Sequence, residues 1–360
     1  MEAIRNKHRK VAPKLMDCTL RDGSYVIDFQ FTATDTVNIA RELDETGFPY
    51  IEVGHGIGLG ASEQGKNVAA ASDAEYMQAA ASAVTRGKWG MFCIPGIANE
   101  DHLRMAADYG MDFVRIGTEV SEIDKSRPFV SLAKDLGMEV YANFMKSYVL
   151  TPDEFARLVA RSADFGSEMV YLVDSAGGMM PHEVRAFLQA ARDQAPDVAM
   201  GFHGHNNLGL AVANSLVSVE EGVSMIDVSL QGFGRSGGNT PTEQFLSVLE
   251  RSGYGIDIDP IKSMRLGESL IRPRIDRRGI CSLDVAAGLA QFHSSYMPKI
   301  LHAALLRRID PRKLIVELCR HNKVNAPQAL IDEIADSLEV DDSSPGWFPD
   351  SYFGEEQGTK

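Results

Sequence analysis

Cysteine is scarce in this 360-residue sequence: Cys18, Cys93, Cys281 and Cys319 stand far apart, and no CxxC pair occurs. That excludes a dense disulfide framework and a thiolate zinc finger, and it fits a reduced, cytoplasmic setting. Basic charge is also in deficit, with 36 Lys and Arg against 50 Asp and Glu and a formal net charge of -14. Nucleic acids and anionic membranes require a basic face, so neither is expected as a partner. No window reaches the roughly 18 uninterrupted apolar residues of a membrane span. The N-terminal stretch MEAIRNKHRKVAPK lacks an apolar h-region, so export and membrane insertion are not expected. No GxGxxG follows the first apolar run, which counts against a dinucleotide-binding open sheet. With 44% apolar and 24% charged residues the chain reads as an ordinary globular protein whose partner is a small molecule.

What is present is a rhythm. Eight short apolar runs recur, KLMDCTL, PYIEVG, WGMFCIP, DFVRIGT, MEVYANFM, MVYLVDS, VAMGFHGH and SMIDVSL, each followed by an amphipathic helical pattern. Eight strand–helix units are what a (β/α)8 TIM barrel requires, and the fold class expected is such a barrel followed by a C-terminal helical region. Residues 1–12 read as an N-terminal arm, 13–255 as the barrel, 256–340 as the helical region and 341–360 as an acidic tail. Trp347, Phe348, Tyr352 and Phe353 in that tail either move freely or dock on the body or a neighbouring subunit.

Barrel enzymes place their chemistry at the C-terminal ends of the strands. The stretch HGHNN, residues 203–207, puts His203 and His205 two apart on the seventh run, so that in an extended chain both project to one side. Two imidazoles suit a divalent metal, yet a solvated strand end would look the same. Barrel closure sets the first strand next to the eighth, and Asp22, at the end of the first, then supplies a third ligand. Two imidazoles and a carboxylate leave positions open for substrate, as a catalytic metal demands. Asn239 adds a candidate amide oxygen. Arg21 either holds a carboxylate or developing enolate oxygen with its planar fork, or pairs with Asp174 or Glu52. Ser175 either donates to a substrate carboxylate or caps the next helix. Asn143 and Lys146 stand at the end of the fifth strand and Arg115 at that of the fourth.

The stretches DCTLRDG at 17–23, HGHNNLGLAVANS at 203–215 and GFGRSGGNTPTE at 232–243 resemble the DRE-TIM metallolyase superfamily, whose members make or break carbon–carbon bonds next to a carbonyl. Within it EVGHGIGL, DFVRIGTE, YLVDSAGGMM, ANSLVSVEEG and the helical end from LIRPRIDRRG through VELCRHNKV resemble the 4-hydroxy-2-oxovalerate aldolases, over about residues 14–338. The resemblance implies one divalent ion, Mn first among Mn, Co, Mg and Zn, on Asp22, His203 and His205. It implies a 2-oxo acid chelating that ion with His203 beside it, an enolate stabilised by Arg21, and an aldehyde as second substrate. It also implies homo-oligomers, or an aldehyde dehydrogenase partner contacting the C-terminal helices.

Two departures stand out. The aldolases carry a histidine acid/base two residues after RDG, where this chain has Ser24 and then Tyr25, and a tyrosine at the position read as Leu289. A phenol with a pKa near 10 is a poor base at neutral pH. Tyr25, His55, His293 or a bound water are the candidate replacements, His55 having the best position, and the second substrate is expected to differ. His102, His182, His302 and His321 read as packing or surface residues. The alternatives are an acyl-CoA/2-oxo acid condensing synthase of the same superfamily, a non-haem iron redox enzyme, an HxH metal-dependent hydrolase and a scaffold without chemistry.

Overall fold

The computed structural model describes residues 10–275 and 281–340. Expectations for residues 1–9 and for the tail aromatics Trp347, Phe348, Tyr352 and Phe353 lie outside the described residues. Strand β1 (Lys10–Val11) pairs in parallel with β10 (Tyr254–Gly255), so the end of the expected N-terminal arm is tied to the segment that follows the barrel.

Between these two, eight strands close into a barrel in sequence order: β2 (Lys14–Asp17), β3 (Tyr50–Val53), β4 (Lys88–Cys93), β5 (Phe113–Glu119), β6 (Glu139–Met145), β7 (Met169–Asp174), β8 (Ala199–Gly204) and β9 (Met225–Val228). Closure is the parallel pairing of β2 with β9, from Lys14 opposite Met225 to Asp17 opposite Val228. Each strand matches one of the apolar runs. Strands of a parallel barrel are covered on both faces and so read as continuous apolar stretches. Met16, Tyr50, Phe113, Tyr141, Tyr171 and Met225 fill the interior, while alternate residues such as Ile51, Val114, Val140 and Val170 pack outward against the helices.

The helices are α1 (Ala33–Thr46), α2 (Asp73–Ala83), α3 (Glu100–Asp108), α4 (Arg127–Asp135), α5 (Pro152–Phe165), α6 (Pro181–Gln194), α7 (Ala211–Glu220) and α8 (Thr242–Arg251). Helices α1, α2 and α5 open on reciprocal capping boxes at Thr32/Asp35, Ser72/Glu75 and Thr151/Glu154. The first and third of these end on Gly47 and Gly166, with φ of 101° and 105°, where a side chain would be strained.

Beyond the barrel lie α9 (Pro260–Leu266), α10 (Ser282–Ala290), α11 (Met297–Arg307), α12 (Pro311–His321) and α13 (Gln328–Ser337). Leu266 and Ile271 belong to the barrel's apolar layer, whereas Leu283, Ile300, Leu314, Leu318 and Ile331 form a second core. The apolar division therefore falls after Ile275, later than the boundary expected at 256, because α9 buries its apolar face on the barrel.

Candidate active site

The strand alternation that fills the barrel also aims its polar residues. On β8 Phe202 packs outward, so His203 points into the mouth, and His205 follows as an antiparallel bridge partner of Asn239. The two rings lie 5.0 Å apart, nearly perpendicular. His203 Nδ1 donates to the Asp227 carboxylate at 2.8 Å, and His205 Nδ1 donates to the Gly238 carbonyl at 3.2 Å. With both Nδ1 positions engaged as donors, each Nε2 carries its lone pair rather than a proton, the tautomer a metal ligand needs, and that of His205 accepts from the Arg235 guanidinium at 2.9 Å.

Asp22 opens a 3-10 turn directly after β2, with Arg21 NH1 donating to one oxygen at 2.6 Å and the Arg235 amide to the other at 3.1 Å. Burial would raise its carboxyl, but Arg21 and the two histidines outweigh burial and hold it well below the usual range. Burial and then the Arg235 guanidinium keep His205 well below the ordinary imidazole value, and so neutral. Donor atoms of Asp22, His203 and His205 lie within 4.8 Å of one another. Asn239 is buried beside them with neither amide atom hydrogen-bonded. Two imidazole nitrogens, a carboxylate and an orphaned amide suit a divalent cation with open positions. The other cluster at this spacing, Cys18, His203 and Asp227, suits it less: burial and Asp227 hold the thiol protonated, and Arg115 already occupies Asp227.

Beneath the ligands runs a buried ion network. Arg21 Nε donates to Glu52 at 2.8 Å; Arg115 donates to the same Glu52 oxygen at 2.9 Å and forms an ion pair with Asp227 at 2.6 Å. Arg21 thus pairs with Glu52 rather than Asp174, while still lining the cavity above. Such a network fixes the fork of Arg21 and the ring of His203 before substrate arrives.

The cavity holds about 260 Å³. Tyr25, Asn143, Lys146, Ser175, Arg235 and His293 line it together with Asp22, His203 and His205. Ser175 Oγ accepts from the Lys146 amide at 3.1 Å, which leaves its own proton to donate. The ring of Tyr25 needs Gly56 opposite it, since a Cβ there would stand 2.6 Å from the ring. A second cavity, of about 440 Å³, lies behind Gly234–Gly238 against the start of α10 and contains none of the three ligands.

Two expectations change. His55 is not a base: Nε2 bonds the Asn67 carbonyl at 2.8 Å and Nδ1 takes the Ile57 amide at 3.1 Å, with Phe29 stacked on the ring at 4.2 Å. Both nitrogens hold the loop, and none is left for a substrate proton. Leu289 is not near the chemistry either; it is 69% exposed on the outer face of α10, and the residues of that segment that reach the cavity are His293, Ser295 and Tyr296. Burial, Arg235 and Lys146 push His293 well below its ordinary value. Sequence reasoning also passed over Asp227 and Arg235. Asp227 carried a signal, an acid two residues from inward-facing Met225 in an otherwise apolar strand. Arg235 carried none beyond its place in a glycine-rich loop.

Comparison with known proteins gives the family. Residues 12–270 match the HMGL-like family model. The 4-hydroxy-2-oxovalerate aldolase of Carboxydothermus hydrogenoformans is 35% identical over 328 residues, 90% of this chain and 97% of the relative. That of Geobacillus genomosp. 3 is 37% identical over 330 residues, 91% of this chain and 98% of the relative. Among solved structures, the HMG-CoA lyase of Brucella melitensis superposes with a TM-score of 0.64 at 20% identity, covering 74% of this chain and 99% of its own. The carboxyl transferase domain of Rhizobium etli pyruvate carboxylase does so with 0.75 at 16% identity, covering 97% of this chain and 64% of its own. These two likenesses concern the fold alone. The family match and these relatives together place the chain in the HMGL-like family, among the metal-dependent carbon–carbon lyases of the DRE-TIM superfamily.

Proposed function

We propose that the chain forms or cleaves the bond between the methyl carbon of a pyruvate-type 2-oxo acid and an aldehyde carbonyl carbon. Asp22, His203 and His205, with Asn239, would hold one divalent ion, Mn first among Mn, Co, Mg and Zn. The observation that carries this is the gathering of a donor atom from each of two buried imidazoles and one carboxylate within 4.8 Å at the barrel mouth. When bound, the ion supplies Lewis acidity at the keto oxygen, which makes the adjacent carbon more acidic.

The chain's own groups do the rest. Arg21, fixed by Glu52, stabilises the enolate oxygen. Ser175 donates to the substrate carboxylate. In the cleavage direction a base takes the proton of the 4-hydroxyl, the C3–C4 bond breaks, its electron pair becomes the enolate, the aldehyde departs and C3 takes up a proton. His293, neutral and on the cavity wall, is that base, and Tyr25 is a second polar group on the same cavity.

The free cysteines support the cytoplasmic setting, and among the described residues no helix is long and apolar enough to cross a membrane. Exposed Leu289, Leu305 and Leu306 on α10 and α11 support docking of a second subunit or an aldehyde dehydrogenase there.

Purified protein loaded in turn with Mn, Co, Mg and Zn is expected to hold one ion per chain and to exchange the methyl protons of pyruvate with deuterium, as followed by NMR. Asp22→Ala and His205→Ala lose both. His293→Gln slows cleavage of a 4-hydroxy-2-oxo acid by roughly 10²-fold or more, while Tyr25→Phe costs less. Absence of a stoichiometric ion under every loading condition sinks the lyase assignment of these ligands.

A further inference from the structure

The cavity wall away from the ligand triad is polar. On β6 the inward alternation Tyr141, Asn143, Met145 brings Asn143 to the cavity; it is 3% exposed, and its amide bonds no group among the described residues.

Three residues on, Lys146 lines the same cavity and is also 3% exposed. Its backbone lies in the left-handed region, φ 61° and ψ 36°, where a long side chain is rarely found. Strain of this kind gathers where a ligand must be met. The ammonium bonds Glu119 at 3.0 Å, the Val324 carbonyl at 3.2 Å and the Tyr296 hydroxyl at 3.4 Å. Glu119, about one-third exposed, is itself a cavity-lining residue.

A second cation adds to this. Arg235 NH2 donates to His205 Nε2 at 2.9 Å and to the Ser175 carbonyl at 3.3 Å, and NH1 bonds Ser294 Oγ. A divalent ion on His205 would take that Nε2 lone pair and leave the guanidinium facing a second positive charge. The 2-oxo acid brings one carboxylate to this side of the cavity. Lys146 and Asn143, at the end of β6, still face whatever enters second.

We propose, on the basis of the aldolase reading above, that the second substrate is a short aldehyde bearing an anionic group, seated by Lys146 and Asn143. A lysine ammonium beside an amide donor matches a carboxylate or a phosphate equally, and the limited cavity, shared with the 2-oxo acid, restricts the aldehyde to a few carbons. The bond formed joins the enolate carbon to the aldehyde carbon, and the former carbonyl oxygen takes the proton. No oxidant or further reactant is needed.

The test uses metal-loaded protein, pyruvate and matched aldehydes: glyoxylate against propanal, succinic semialdehyde against pentanal, and glyceraldehyde 3-phosphate against glyceraldehyde. The anionic member of at least one pair is expected to be favoured in kcat/KM by roughly ten- to a hundred-fold, the range of a hydrogen bond to a charged group. The first two pairs report a carboxylate and the third a phosphate. Lys146→Met is expected to bring that ratio close to one and Lys146→Arg to preserve most of it. Asn143→Leu should lower it several-fold with a rise in KM for the anionic aldehyde. Equal or better use of the neutral member of every pair, by a wild-type protein that does exchange pyruvate protons, overturns the anionic seat and leaves the aldolase intact. Failure to exchange pyruvate protons with any metal overturns the aldolase reading itself, and the seat with it.

Discussion

Both histidines of the HxH pair have Nδ1 engaged before any ligand arrives, and this makes the residues behind them measurable. Asp227 holds His203 at 2.8 Å and is held in turn by Arg115 at 2.6 Å. Replacing it with Asn leaves a hydrogen-bond partner but removes the charge that orients the ring and raises its basicity. Asp227→Asn is therefore expected to weaken metal binding by roughly 10- to 100-fold in a competitive chelator titration. An unchanged affinity would mean that His203 does not act through this carboxylate. Arg21 is testable in the opposite sense. Lysine keeps the charge but cannot bond Glu52 and Asp22 while also facing the cavity, so Arg21→Lys should lower kcat by roughly 10² to 10³ with metal content nearly intact. Near-normal turnover would restrict Arg21 to the ion network. The convergence of Asp22, His203 and His205 was legible in the sequence because the barrel dictates which strand ends adjoin. Asp227 and Arg235 were not, since a pairing partner is fixed by where a side chain ends in space. His55 was misjudged for the same reason: its position is right, but two backbone groups of its own loop hold both nitrogens.

At the scale of elements, the eight strands and the helices between them could be read because a buried parallel strand is a continuous apolar run and capping residues mark where each helix begins. Leu289 shows what that reading lacks. Its segment was rightly helical, but Ala286, Ala287 and Ala290 face inward on α10, and small residues gave little indication of which face would be buried. The end of β2 carries a consequence that no periodicity reveals. Asp17 is fully buried there, accepting from Thr19 N at 2.9 Å and Thr19 Oγ1 at 3.0 Å. Burial, despite those two bonds, pushes its carboxyl up to about 7. The folded chain then keeps a proton that the unfolded chain releases near pH 4. Because the folded pKa is raised, this group favours the native state fully below about pH 4 and loses that contribution as pH rises toward 7, at up to about 1.4 kcal/mol per unit. Chemical denaturation at pH 5, 6 and 7 should show a steeper loss of stability in the wild type than in Asp17→Asn. Parallel slopes would show that Asp17 is ionised in the native protein.

At the scale of the whole molecule, the apolar layer between barrel and helices and the core of the C-terminal helical region are joined by polar contacts at the cavity mouth. Lys146 bonds the Val324 carbonyl at 3.2 Å, Asn207 bonds the Asp284 carbonyl at 3.0 Å, and Arg235 bonds Ser294. His293 and Tyr296, on the segment between α10 and α11, line the cavity, so the helical region completes the site rather than only appending to it. Its core is smaller than that of the barrel, and polar ties exposed to substrate are weaker than packing, so α10 to α13 should open locally at lower free energy than the barrel strands. Native-state hydrogen exchange followed by mass spectrometry is expected to show faster exchange across 282–337 than across β2 to β9. Adding metal and pyruvate together should then slow exchange in 281–296 markedly and in 311–337 much less, because only the first of these segments touches what is bound. The contrast with metal alone matters: the three ligands lie on β8 and at the ends of β2 and β8, so the ion by itself should protect the barrel mouth and leave 281–296 nearly unaltered. Equal protection of both helical segments by substrate would mean that the whole region closes as one body. Protection confined to the barrel would mean that His293 and Tyr296 border the cavity without meeting the substrate, and the proton would then have to pass to Tyr25.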